Sequence, residues 1–224
     1  MTGDGSATMA AVKAGTRAVY ERRAGLWDRE RNLELFEAPW LERFAGALPR
    51  GGRVLDLGCG SGRPIAGWLL QRGFRLTGID YAAPMIALAQ HHFPPADWPG
   101  ARWLVRDMRD LPPGPLGDDD EPGTFDGVIG WDSYFHLSVA EQRAVLPALA
   151  QRVNPGGALL LTVGPAEGEV TGTVGGDIVY HASLSPAEYH ATLRIAGFGD
   201  ITFVPDDPTA LGRSILLACR RSTV

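Results

Sequence analysis

The stretch VLDLGCGSGRP, residues 54–64, constrains the chain more than any other. Apolar residues and one acid lead into glycines at 58, 60 and 62, and Pro64 then opens a helical pattern. Glycine loses the most conformational freedom on ordering, so glycines at alternating positions mark a backbone that must take positive φ or lie against a ligand. A plain turn would not need all of them. A strand, a glycine loop and a helix start, in that order, form the setting in which helix N–H groups face a bound cofactor. Cys59, inside the loop, reads as a small packing residue and not as a nucleophile.

From Arg53 onward, apolar runs of strand length alternate with helical patterns. RVLDLG, RLTGID, RWLVRDM, FDGVIGWD, ALLLTVG, DITFVPD and SILLACR predict strands, and their continuous Val/Ile/Leu character suits burial on both faces. RPIAGWLLQRG, APMIALAQHHF, SVAEQRAVLPALAQRV and SPAEYHATLRIAGF predict the helices between them. The third has Ser138 three residues before Glu141, a capping box, and Pro147 predicts a kink or an early end within it. This alternation predicts a parallel sheet. The last two strands are joined by DDPTALGR, without room for a helix, and should form an antiparallel hairpin. The expected fold is α/β, a Rossmann-like doubly wound, mostly parallel seven-stranded sheet with that hairpin and an N-terminal helical cap. The chain reads as one domain: a flexible leader over 1–12, a cap of two or three helices over 13–50, and a core over 51–224 with a substrate-side flap around 164–184.

The dinucleotide fingerprint G-x-G-x-x-G would need a glycine at 63, which is Arg63, and an apolar residue where Asp56 stands. The pattern D-x-G-x-G-x-G, over Asp56, Gly58, Gly60 and Gly62, instead resembles motif I of the class I S-adenosylmethionine-dependent methyltransferases. The resemblance runs from about Arg53 to the C-terminal hairpin. It implies that Asp56, Gly58, Cys59, Gly60 and Gly62 line the cofactor. Asp80, at the end of the second strand, would hold both ribose hydroxyls, with Tyr81 beside the adenine. Asp107 and Met108, ending the third strand, would take the adenine amino group and a ring nitrogen. The backbone at Gly130–Trp131 would join Gly58 around the methionine ammonium. The N-terminal AVYERRAGLWDRER would fold over the cofactor through Tyr20, Trp27 and Arg29, with Arg29 or Arg31 pairing with its carboxylate.

The resemblance also places the end of the fourth strand, GWDSYFHL, toward the methyl acceptor, where Asp132, Tyr134 and His136 gather. His136 is the candidate general base, because an imidazole can take a proton near neutral pH. Tyr180 and His181, in the flap, are further substrate contacts. His91 and His92 fall at a helix end, where a cation suits the dipole, and His190 reads as surface. Histidines this scattered make no recognisable metal site. The N/D-P-P-Y/F signature of amide and adenine N-methylation is missing.

Charge narrows the partner. A formal net charge of −5, with no basic stripe, disfavours a nucleic-acid partner. The acidic run Asp118–Asp119–Asp120–Glu121, among prolines, reads as a solvated loop. No apolar run is long enough for a membrane span, and the N-terminus lacks a secretory pattern. Two distant cysteines suggest reduced thiols and a cytoplasmic protein. The expected activity is S-adenosylmethionine-dependent methylation of a small molecule at O, N, S or C. The alternatives are an NAD(P)-dependent oxidoreductase and a non-catalytic cofactor-binding protein. The cap could equally build a homodimer interface.

Overall fold

The computed structural model describes residues 4–116 and 123–222. Seven strands form one sheet: β1 (Arg53–Leu57), β2 (Arg75–Asp80), β3 (Ala101–Val105), β4 (Phe125–Gly130), β5 (Val153–Val163), β8 (Phe198–Asp207) and β9 (Arg213–Arg220). Between β5 and β8, strands β6 (Gly168–Val174) and β7 (Asp177–Ser183) pair separately as an antiparallel hairpin. The large sheet has the order β3-β2-β1-β4-β5-β9-β8. Strands β1 to β5 pair in parallel, and β9 runs antiparallel to both β5 and β8. The sheet is the doubly wound one expected, with its C-terminal hairpin at one edge.

The two-residue period of a strand sends neighbouring side chains to opposite faces. Val54, Leu76 and Leu160 pack against α2 (Ala38–Gly46), α3 (Ile65–Gln71) and α4 (Ala83–His92). Leu55, Leu159 and Leu161 pack against α5 (Val139–Arg152) and α6 (Pro186–Ile195) on the other face. Both faces are therefore buried, as the unbroken apolar runs require.

Four details refine or alter the expectation. The leader expected over 1–12 is helical from Asp4, as the start of α1 (Asp4–Glu30). The cap consists of two helices, α1 and α2. Pro147 does not end or split α5, which is a single helix of 14 residues. Proline costs it one backbone bond, while the Ser138–Glu141 capping box and the buried Val145, Leu146 and Leu149 hold it on the sheet. The flap is a β-hairpin. Its turn is Gly175–Gly176, both at positive φ (55° and 86°), the two-residue connection whose twist matches the flanking strands. The acidic run at 118–121 lies outside the described residues.

β1 and β4 are neighbours, with β2 and β3 to one side and β5 to the other, so the strand order reverses between them. In open α/β sheets the crevice beyond the strand ends at such a reversal takes the ligand. Helix α1 lies over this crevice, touching α4 on one side and the β6–β7 hairpin on the other. Among the described residues no helix is long and apolar enough to cross a membrane.

Candidate active site

The crevice opens into a cavity of about 760 Å³, walled by the glycine loop, the ends of β1, β2 and β4, helix α1 and the hairpin. Gly58, Gly60 and Gly62 all have positive φ (64°, 53° and 78°). The space a Cβ would take at Gly58 is filled by Ser133, 2.4 Å away, whose hydroxyl donates to the Leu57 carbonyl at 2.5 Å. At Gly62 it is filled by Trp103 and Phe93, at 3.0 and 3.1 Å. The loop is thus pinned to the protein's own core at both ends. Only Gly60, between them, faces the indole of Trp27 across the crevice, 3.4 Å from its Cβ position.

Two acids stand at the loop. Asp80 is held by two backbone donors: Gly60 N–H to one oxygen at 3.1 Å and Ala82 N–H to the other at 2.8 Å. That leaves lone pairs on both oxygens turned to the cavity. Burial pushes its carboxyl up to about 6 against those bonds. Asp56 is 5% exposed, lines the cavity and has no hydrogen-bond partner among the described residues. Burial, with Asp80 nearby, pushes it up to about 7. A buried carboxylate with no partner is costly, and it calls for a cationic or donor group. The Trp131 indole N–H, also buried on this wall, has no acceptor among the described residues.

Residues from α1 close the far side. Arg17 donates to the Tyr81 carbonyl at 3.2 Å and lies over its ring. Asp28 pairs with Arg63 at 2.8 Å and with His92 at 3.0 Å, tying α1 to the loop and to the end of α4. At the other end of the cavity, Arg31 pairs with buried Glu37 at 2.7 Å. Arg213 grips Asp132 with two nitrogens, each at 2.7 Å, and lies over Phe36.

The imidazole of His136 is fixed on both sides. The Tyr180 carbonyl, 2.8 Å from Nδ1, can only accept, so Nδ1 carries the proton. Nε2 then accepts from the Tyr20 hydroxyl at 2.8 Å. Burial lowers the ring's pKa to about 4, so it is neutral at pH 7. The expected base is therefore present on the wall with its lone pair already taken.

Tyr20, Trp27, Cys59, Tyr81, Met108, Trp131, Asp132 and His181 join the acids and glycines on the cavity wall. Four expected residues do not. Tyr134 is fully buried with its hydroxyl donating to the Gln142 carbonyl, because the short turn after β4 points it into the core. Tyr180 is likewise buried and serves through its main chain, its N–H donating to Thr16 of α1. Arg29 is exposed on the outer side of α1. Asp107 follows the end of β3 by two residues and accepts from the N–H and guanidinium of its own Arg109, which hold it below the usual carboxylate range. His92 meets a carboxylate rather than only a helix end.

Sequence reading missed Asp28, Arg63, Phe135 and Arg213. Arg63 adjoins the loop and could have been found there. Asp28 and Arg213 reach the site only through packing of distant segments.

This sheet order, with a glycine loop after β1 and an oriented acid at the end of β2, is that of a Rossmann-like fold with its crevice at the strand-order reversal. Residues 54–157 match the family model described as Methyltransferase domain. The chain is 31% identical over 185 residues to 27-O-demethylrifamycin SV methyltransferase of Amycolatopsis mediterranei (strain S699), covering 77% of this chain and 64% of that protein. It is 31% identical over 118 residues to Ubiquinone biosynthesis O-methyltransferase of Paracidovorax citrulli (strain AAC00-1), covering 53% and 45%. The chain thus spans less than two thirds of the length of these curated relatives. Among solved structures, S-adenosylmethionine-bound CalS10, an amino pentose methyltransferase from Micromonospora echinaspora, is similar with a TM-score of 0.62 and 25% identity over 90% of this chain and 96% of that one. The CcbJ methyltransferase of Streptomyces caelestis, at 19% identity, shares the fold with a TM-score of 0.65 over 90% and 96%. Residues 54–157 thus resemble a methyltransferase domain, and the structure with bound S-adenosylmethionine, at 25% identity, shares the fold over nearly its whole length.

Proposed function

We propose that the protein transfers a methyl group from S-adenosylmethionine to a small organic acceptor. The observation that carries this reading is the pair of acids beside the glycine loop. Asp80 offers two oriented acceptors suited to vicinal ribose hydroxyls, and Asp56 offers an uncompensated carboxylate suited to the methionine ammonium. Arg31 or Arg63, both on the wall, would take the methionine carboxylate. When bound, the cofactor supplies an electrophilic methyl group on a sulfonium.

The chain's part is then alignment and exclusion of water. The loop fixes the cofactor's depth in the crevice. Helix α1 and the hairpin cover it. Asp132, held by Arg213, and the aromatic edge of Phe135 shape the remaining space. A cavity of about 760 Å³ exceeds what a cofactor of this size fills, and leaves room for an acceptor. The relatives' names attach them to a 27-O-demethylrifamycin, to ubiquinone biosynthesis and to an amino pentose, which favours a small-molecule acceptor over a macromolecule. The formal charge of −5 points the same way. A cytoplasmic location accords with two distant free cysteines, and a homodimer through the cap remains part of the reading.

Titration calorimetry with S-adenosylmethionine, S-adenosylhomocysteine and NADH tests it. Binding of the first two, with none of NADH, is expected. A folded protein that binds neither sulfur compound sinks the reading, and binding of NADH alone would install the oxidoreductase alternative.

A further inference from the structure

We propose that His181, and not His136, is the catalytic residue that hydrogen-bonds the acceptor's nucleophilic X–H group and takes its proton. The proposal rests on the methyltransferase reading above. Its basis is the contrast between two imidazoles whose ring centres are 5.0 Å apart in the same corner of the cavity. His136 spends both nitrogens on the protein, one on the Tyr180 carbonyl and one on the Tyr20 hydroxyl. His181 lines the cavity, and neither of its nitrogens meets a partner among the described residues. A ring nitrogen with a free lone pair, open to the space beside the cofactor loop, is the group able to receive a proton there.

The ring is also placed. It meets Phe135 edge to face, with ring centres 4.5 Å apart. On the paired strand, a Cβ at Gly172 would fall 2.3 Å from Cε1, 2.9 Å from Nδ1 and 3.0 Å from Nε2. Gly172 does not have positive φ, so its bareness serves the imidazole and not the backbone. The hairpin thus makes a seat for one side chain. Around it stand His136 from the turn after β4, Asp132 from the same segment, already paired with Arg213, and Tyr20 of α1, which reaches the corner through His136. On β6, Val170 is its register partner, and strand alternation sends neighbouring Glu169 to the opposite face. Burial keeps His181 below the usual histidine pKa, hence neutral and able to accept at pH 7.

In the step, a lone pair of X attacks the methyl carbon, and the carbon–sulfur bond breaks with its electron pair going to sulfur. The X–H proton passes to the free nitrogen of His181. The resulting imidazolium gives the proton up to solvent once the product has left.

The first test is carbethoxylation of the free protein with diethyl pyrocarbonate, mapped by peptide mass spectrometry, since the reagent attacks unprotonated, unengaged imidazole. His181 should react faster than His136. The second uses tritiated S-adenosylmethionine with a catechol, a phenol and an amino sugar as acceptor probes. His181→Gln should bind S-adenosylhomocysteine with unchanged Kd, lower kcat about a hundredfold, and lose the acid limb of the kcat–pH profile. Gly172→Ala should reproduce part of that loss by displacing the ring, again with Kd unchanged. Modification of His136 with His181 spared overturns the proposal, as does His181→Gln turning over at the wild-type rate with an intact acid limb. If no probe is turned over, the modification result alone decides. Failure of wild type to bind S-adenosylhomocysteine would instead strike the methyltransferase reading itself.

Discussion

Asp56 carries the cost of a site built for a cation. Its carboxyl sits at about 7 and that of Asp80 at about 6, both pushed up by burial. The folded protein therefore holds protons on these groups that the unfolded chain, with ordinary carboxyls, gives up. Their contribution to stability is fully present at low pH and is lost as pH rises through about 6 to 7. In ligand-free protein, Asp56→Asn should raise Tm at pH 8 and flatten the fall of Tm between pH 5 and 8 relative to wild type. The same variant should weaken S-adenosylhomocysteine binding by about tenfold or more, because a charge-assisted bond is lost. Wild-type affinity should itself fall as pH drops below about 6 to 7, where both acids take up protons. Calorimetry across pH checks both statements. Gly58→Ala tests the loop from another side. It puts a Cβ at φ 64° and 2.4 Å from that of Ser133, and should cost at least about 2 kcal/mol by denaturant unfolding. That Asp56, Asp80 and the loop glycines would meet at the crevice was legible because they belong to one contiguous strand–loop–helix–strand unit. Tyr134 and Asp107 fall off the cavity wall because strand ends show which residues are near the crevice but not which way each side chain turns.

Among the elements, α1 has the most to do with the site and the weakest signal in the sequence. It is held over the crevice by two ties of unequal kind. At one end Asp28, 7% exposed, joins Arg63 and His92. Further back, Arg22 and Arg23 pair with Asp177 at the hairpin turn, where Asp177 is about one-third exposed. Solvent screens the second tie, so Asp177→Asn should leave stability nearly unchanged. Asp28→Ala leaves Arg63 and His92 without their buried carboxylate and should cost about 2 kcal/mol or more. Hydrogen exchange should show α1 opening faster in the Asp28 variant than in the Asp177 variant, with weaker cofactor binding following the same order. Equal exchange in the two would mean that packing, and not these pairs, holds the helix. The hairpin was readable in principle, since Gly-Gly between alternating residues is a turn signal. Reading that segment only as a glycine-rich flap missed the register that seats His181 opposite β6.

At the scale of the whole molecule, the cap, sheet and hairpin enclose one cavity, so a ligand bound there touches all three. S-adenosylhomocysteine at one hundred times its Kd should stabilise the fold by about 2.7 kcal/mol, seen as a rise in Tm. It should also slow exchange in α1 and β6–β7 more than in the first half of β8, the edge strand of the sheet away from the cavity. Uniform protection would mean that the cap does not close on the ligand.

The amino-acid sequence alone determined the sheet, its hairpin edge, the flanking helices and the cofactor loop, since apolar periodicity, caps and glycine placement act over a few residues. It also brought Asp56 and Asp80 to adjacent strand ends. Only the tertiary structure decided that His136 spends both its nitrogens on Tyr20 and Tyr180, that Asp28 locks α1 down, and that His181 is left free. Those outcomes depend on which distant segments come within hydrogen-bonding distance, and local pattern does not encode that.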